Sequence, residues 1–231
     1  MLRTEAAIVE VVSRDWNNII DMIKRRTVET FQTCPYYFFT KHDIHSVLYN
    51  ITSEELQLSG VLEEKTSDGY QVPLVHHEYP TPFRCDMRGY GFEKKDETPY
   101  RRGHYDLVIF NPDFVRNKEL CVVCGKNFEK FNSAMENVKV EPLIWASEVI
   151  FFPVVKRLPE NALRIIEQDA LKVKATLEHE TDCGRFCKIG SVLVFTSHSA
   201  KEASNLRQQI VRLRKKHKLD IVLSEALPEE A

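Results

Sequence analysis

The sequence predicts an α/β protein, a mixed sheet flanked by helices, with an N-terminal helical segment packed on the sheet. Three observations carry this. Leu107-Val108-Ile109-Phe110 is an unbroken branched and aromatic run, the mark of a strand buried on both faces. The second half of the chain alternates strand, helix, strand, helix, strand, an order that favours a sheet with helices packed against it. Residues 4 to 32 repeat Ile8, Val11, Val12, Ile19, Ile20, Ile23 and Val28 at helical spacing with charges between them.

In chain order, the first helix ends before Pro35. A second, short helix follows, opened by Thr40 with Asp43 three places on and carrying Ile44, Val47 and Leu48 as an apolar face. EELQLSGVLEE is a third element, and Ser67-Asp68-Gly69 a turn. YQVPLVHHEYPTPF is extended, its prolines suiting an edge strand or a strand end. Residues 84 to 103 read as a polar surface loop and YDLVIF as the next strand. Residues 111 to 142 are irregular: they hold LCVVC, in which Cys121 and Cys124 fall on a possible strand, and a short helix around FEKFNSAMENV. PLIWASEVIFFPVV is a further strand. Pro159-Glu160-Asn161 then opens a helix with the stripe Leu163, Ile166, Ala170, Val173, Leu177. IGSVLVFTSH is a buried strand, Ser199 with Glu202 caps a helix running to about His217, and LDIVLSE closes the series. The domain division is residues 1–66 as the helical segment and 67–231 as the core, with an insertion at about 111–142.

Composition sets bounds on function. The chain has 231 residues, 43% hydrophobic and 29% charged, with a formal net charge of −2, so no global basic charge announces a nucleic-acid binder. No apolar run approaches the roughly 18 to 20 residues needed to cross a bilayer, and the N-terminus lacks the apolar core of a signal peptide. The expectation is a soluble, cytoplasmic protein without membrane association. Arg207, Arg212, Arg214, Lys215, Lys216 and Lys218 crowd one late segment; a favourable helix-dipole placement ranks ahead of phosphate binding there. Cys121, Cys124, Cys183 and Cys187 could hold a structural zinc, but reduced, unligated thiols are the first reading.

Three acids sit in or beside strands: Glu78 in VHHEYP, Asp106 in GHYDLVIF and Glu148 in WASEVIFF. A carboxylate at the mouth of a buried strand is costly unless it is paired or coordinated. Acids on neighbouring strands can converge on one cavity, where their oxygens suit magnesium, and magnesium chemistry there suits phosphodiester hydrolysis. The competing reading is three hydrogen-bonded strand-end acids in a non-catalytic interaction module. His76 and Glu78 are two apart and share a face, while His104 lies two before Asp106. Arg101 and Arg102 are candidates for phosphate contact, with solvated loop charges the first reading.

An apolar strand opened by Asp, a strand carrying Glu, an amphipathic helix and another strand together resemble the PD-(D/E)XK nuclease superfamily, the restriction-endonuclease-like fold. The likeness spans roughly residues 36 to 200 and lies more in pattern than in identity. It implies a core of helix, three strands, helix, strand. It further implies Asp106 and Glu148 as ligands of Mg²⁺ or Mn²⁺, Glu78 as an auxiliary acid, and nucleic acid as substrate or partner. The pattern Glu-x-Lys is broken here, because Glu148-Val149-Ile150 puts isoleucine where the family has lysine. Two readings therefore stay open, an active site with a rearranged lysine and a degenerate site retained for binding. Lys156 follows the Glu148 strand beyond Pro153. Lys174 lies about 60° from the centre of the apolar stripe at about 100° per residue and is the candidate replacement, with a solvated or snorkelling lysine ranked ahead of it. Lys172 points nearly away from that stripe, and Asp169, on its other flank, resembles the family's acidic helix position.

Overall fold

The computed structural model describes residues 14–86, 100–125, 140–153, 158–181, 184–198 and 203–226. The chain is α/β, with a five-stranded mixed sheet between two layers of helices.

Helix α1 (Trp16–Thr33) starts at Asp15, whose carboxylate accepts from the Asn18 amide. Helix α2 (Lys41–Leu58) forms with the Thr40–Asp43 capping box that the spacing predicts, both reciprocal bonds being present. It is longer than expected and takes in EELQL, because Ile51 and Leu56 continue the buried face set by Ile44 and Leu48. Strands β1 (Glu63–Lys65) and β2 (Gln71–Pro73) make a small separate hairpin over the Gly69 turn.

The main sheet has the order β3-β4-β5-β8-β9. Strands β3 (Val75–Asp86), β4 (Tyr100–Phe110) and β5 (Leu143–Phe152) are antiparallel. β8 (Cys187–Thr196) and β9 (Asp220–Glu225) then add in parallel. The flanks of the expected loop at 84 to 103 belong to β3 and β4, which pair as far as Asp86 with Tyr100. β3 is the sheet edge, so Pro80 and Pro82 remove ladder donors where only one neighbour has to be satisfied.

Between β4 and β5 lie two short helices, α3 (Pro112–Arg116) and α4 (Leu120–Val123). The LCVVC segment is therefore helical rather than a strand; the Asp68 carboxylate accepts from the Leu120 amide and holds its first turn. The expected helix around FEKFNSAMENV lies outside the described residues, as do Ser199 and Glu202. Helix α5 (Ala162–Glu178) joins β5 to β8, with the two-residue strands β6 (Glu180–Thr181) and β7 (Gly184–Arg185) forming a hairpin before β8. Helix α6 (Ser204–His217) joins β8 to β9. Among the described residues no helix is long and apolar enough to cross a membrane.

Alternation along β5 divides the core. Trp145 and Val149 pack with Ile20, Ile23, Ile44 and Leu48 of α1 and α2, whereas Ile150 and Phe152 pack with Ile166, Val173, Leu206 and Ile210 of α5 and α6. From Val149 to Phe152 successive residues thus alternate between the two layers. Gly190 of β8 shows how closely α5 approaches, since a Cβ there would lie 2.5 Å from Cγ1 of Val173 and 3.2 Å from the Leu177 side chain. Gly190→Ala should destabilise the fold by roughly 1–3 kcal/mol through overpacking. A lower urea midpoint at unchanged m-value would report it.

Candidate functional site

The ladder between β4 and β5 ends at the pair Leu107–Ser147. One residue further along β4 sits Asp106, 6% exposed, and its Oδ2 accepts from the Val149 amide at 2.7 Å. A side chain thus takes the place of the next ladder bond and holds the two strands where they part. Asp106 faces α2, where the Lys41 ammonium lies 2.7 Å from both carboxylate oxygens. His45, one helical turn on, brings Nε2 to 3.6 Å from Oδ1, too long for a hydrogen bond.

Glu148 precedes the amide that Asp106 holds. By the alternation of β5 its side chain shares the α5 face with Ile150, and it is 1% exposed. Its Oε2 meets the Lys172 ammonium at 2.6 Å, while Oε1 finds no hydrogen-bond partner among the described residues. Lys172 also donates to the His104 carbonyl at 3.0 Å and lies 3.7 Å from Asp169. One helical turn further along α5, the Tyr105 and Thr176 hydroxyls are hydrogen-bonded at 2.6 Å and tie the same flank to β4.

Electrostatics follow from burial. Desolvation raises the Glu148 carboxyl well above the usual range, only partly offset by Lys172, with Asp169 and Asp106 adding to the rise. Asp169 is raised for the same first cause. Burial acts to lower the Lys172 ammonium, but Glu148 and Asp169 outweigh it and the net shift is upward. His45 is depressed to about 4, mainly by burial, so its ring is neutral at pH 7. Three acids, Asp106, Glu148 and Asp169, therefore share two lysines, Lys41 and Lys172.

The expected ligand set is only partly assembled. Asp106 and Glu78 come together, and with His45 they offer three ligand atoms all within 4.8 Å of one another. Glu148 is not a member of that group. Glu78 is exposed and has φ 51°, a left-handed conformation uncommon for a residue with a Cβ, and it stands opposite Asp106 in a gap in the β3–β4 register. Lys174 stays away, paired with Glu178 at 3.6 Å on the outer side of α5. The lysine that reaches Glu148 is Lys172. Counting only apolar residues placed the buried stripe too far round the helix, because Thr176 is fully buried and extends that face toward Lys172.

His76 is engaged with the Pro73 carbonyl at 2.8 Å, whereas His77 lies 3.1 Å from the Asp106 carbonyl and stacks between Tyr49 and His45. The side chains of Arg101 and Arg102, Lys156 and Cys183 fall outside the described residues. Cys121 and Cys124 are exposed on α4, and Cys187 is buried in β8 with its thiol donating to the Ile189 carbonyl. No cysteine cluster suited to zinc occurs among the described residues.

No family model, no curated protein and no solved structure matches the chain.

Lys172→Met should destabilise the protein by about 3–5 kcal/mol at pH 8, because Glu148 is left as a buried, unpaired acid. Its folded carboxyl is raised above the ordinary 4.5. Its penalty is therefore largest above the folded value and fades as pH falls toward 4.5, where folded and unfolded chains are both protonated. Urea denaturation of variant and wild type between pH 8 and pH 4.5 should show the gap narrowing with acid.

Proposed function

We propose that the chain is a metal-dependent phosphodiesterase of the PD-(D/E)XK type, acting on nucleic acid with a rearranged lysine. One observation carries the reading: a strand-borne Asp joined to the strand of a buried Glu, with a helix-borne ammonium 2.6 Å from that Glu. Lys172 supplies from α5 the positive charge that Ile150 cannot supply from β5. The order α2, β3, β4, β5, α5, β8 supports the resemblance, since it is helix, three strands, helix, strand.

The donor set fits a divalent cation. His45 presents a buried Nε2 with no hydrogen-bond partner among the described residues, and it stands beside the carboxylates of Asp106 and Glu78. These three would hold the ion, and two carboxylates among them suit magnesium or manganese. When bound, such an ion lowers the pKa of water and offsets phosphate charge. The chain's own groups account for the rest. Lys172 and Lys41 place two ammonium groups beside the phosphate position, and Glu148, its carboxyl raised by burial, can hold or release a proton there.

A second reading, a non-catalytic binding module, is favoured by one contact. Lys41 already neutralises Asp106, as a cation otherwise would.

The deciding experiment is Mn²⁺- and Mg²⁺-dependent cleavage of single-stranded and duplex DNA and RNA. Asp106→Ala and Lys172→Met should each lower kcat/KM by roughly a hundredfold or more. Cleavage unchanged by Asp106→Ala would remove this site. Calorimetric titration with Mn²⁺ separates the two readings. In the hydrolase, His45→Ala weakens binding at least about tenfold, and Lys41→Met leaves it intact or tighter. In the binding module no variant binds the ion, and Lys41→Met only destabilises the fold.

A further inference from the structure

Six large hydrophobic side chains are exposed among the described residues, and three of them share one stretch of four. Tyr36, Tyr37 and Phe39 are 59%, 76% and 74% exposed; the other three, Leu58, Tyr70 and Val211, stand singly on other segments. The stretch is the 3₁₀ turn Pro35–Tyr37 and its continuation, which link α1 to α2.

The backbone under these rings is held at both ends. Pro35 is buried, and Phe38 points inward against Phe31 with ring centroids 5.3 Å apart. Phe31 in turn packs on Phe151 of β5 and Phe195 of β8. On the other side the Phe39 and Thr40 amides both donate to the Asp43 carboxylate, at 2.8 and 2.7 Å. The rings are thus presented from an anchored turn, and contact with them orders little extra backbone. Two residues after Phe39 comes Lys41, whose ammonium touches Asp106.

Size and chemistry select the occupant. A stable protein interface needs roughly 800 Å² from each partner. Three rings of roughly 150–250 Å² each, about two-thirds exposed, supply about half of that. They are enough for two or three flat aromatic ligands. Thr33, Thr40 and Lys41 flank the rings and the Asp43 carboxylate is turned onto the Phe39 and Thr40 amides, so the margin is polar, which suits a phosphate backbone running beside stacked bases better than an aliphatic surface. Bases within a duplex are already stacked and offer no free face, whereas unpaired bases do.

We infer that Tyr36, Tyr37 and Phe39 form a stacking platform for unpaired bases, which leads a single strand past Lys41 to the Asp106 site. The inference rests on the phosphodiesterase reading for its direction, but binding can be measured without cleavage. The experiment is fluorescence anisotropy of labelled dT12 and U12 oligonucleotides, and of a blunt duplex of equal length, in EDTA. Wild type should bind the single strands more tightly than the duplex. Tyr37→Ala and Phe39→Ala should each weaken single-strand binding about five- to a hundredfold, with Tyr37→Trp restoring it. Because the rings are exposed, the ring variants should keep the wild-type Tm. Equal affinity in the alanine variants, tighter duplex binding or no binding by wild type would overturn the platform. Sedimentation with phosphatidylcholine–phosphatidylserine vesicles that depends on the same rings would assign them to a membrane surface instead and overturn it too. Ring-dependent binding without cleavage under any metal would sink the hydrolase reading alone; cleavage with ring-independent kcat/KM would sink the platform alone.

Discussion

The bond from the Val149 amide to the Asp106 carboxylate organises the site. β4 and β5 pair through Leu107–Ser147 and then separate, and a separated strand leaves buried amides that must find acceptors. Asp106 meets that demand with a side chain. A carboxylate used this way has to be buried, and a buried carboxylate has to be neutralised, so Lys41 is drawn in from α2. Glu148, beside that amide, meets the same condition through Lys172. The parting of the strands, the buried acids and the two lysines are consequences of one break in a ladder.

The two helices on either side have matched roles. α2 and α5 each place a lysine against one acid, and each does so from the polar margin of a face that is otherwise core. The site is therefore clamped between layers whose positions are set by apolar packing, with Trp145 and Val149 on one side and Ile150 and Ile166 on the other. Such a scaffold can keep charged groups within a few tenths of an ångström, which flexible loops do not. The left-handed Glu78 adds a residue whose unusual backbone is tolerated beside the site, a pairing common where function constrains geometry.

The elements most legible in the sequence were those whose side chains all served one purpose. LVIF, SVLVF and the stripe through Ile166, Ala170 and Val173 could be placed because burial alone accounts for them. The Thr40–Asp43 cap was legible for a similar reason, its chemistry being local. Asp106 and Glu148 stood out as acids against apolar runs. Lys172 did not, because its signal is the row Asp169, Lys172, Thr176, which becomes a buried flank only when Thr176 is counted with the core. Lys41 and His45 were missed for a different reason. They sit four apart on one helix, beside Ile44 and Leu48, but their partner is 65 and 61 residues away, and no local spacing encodes that contact. LCVVC was misread because two valines suggest a strand, whereas the Asp68 acceptor that fixes it as a helical turn comes from a distant loop.

The prolines of β3 have a consequence for the molecule in a crowded solution. β3 lies at one margin of the sheet, where a regular row of free donors and acceptors would invite a strand from another chain. Pro80 and Pro82 interrupt that row, and the register is irregular between Pro80 and Arg84. A neighbouring molecule finds no continuous template there. The prolines and the shifted register just beyond Glu78 thus disfavour edge-to-edge joining of copies of the protein.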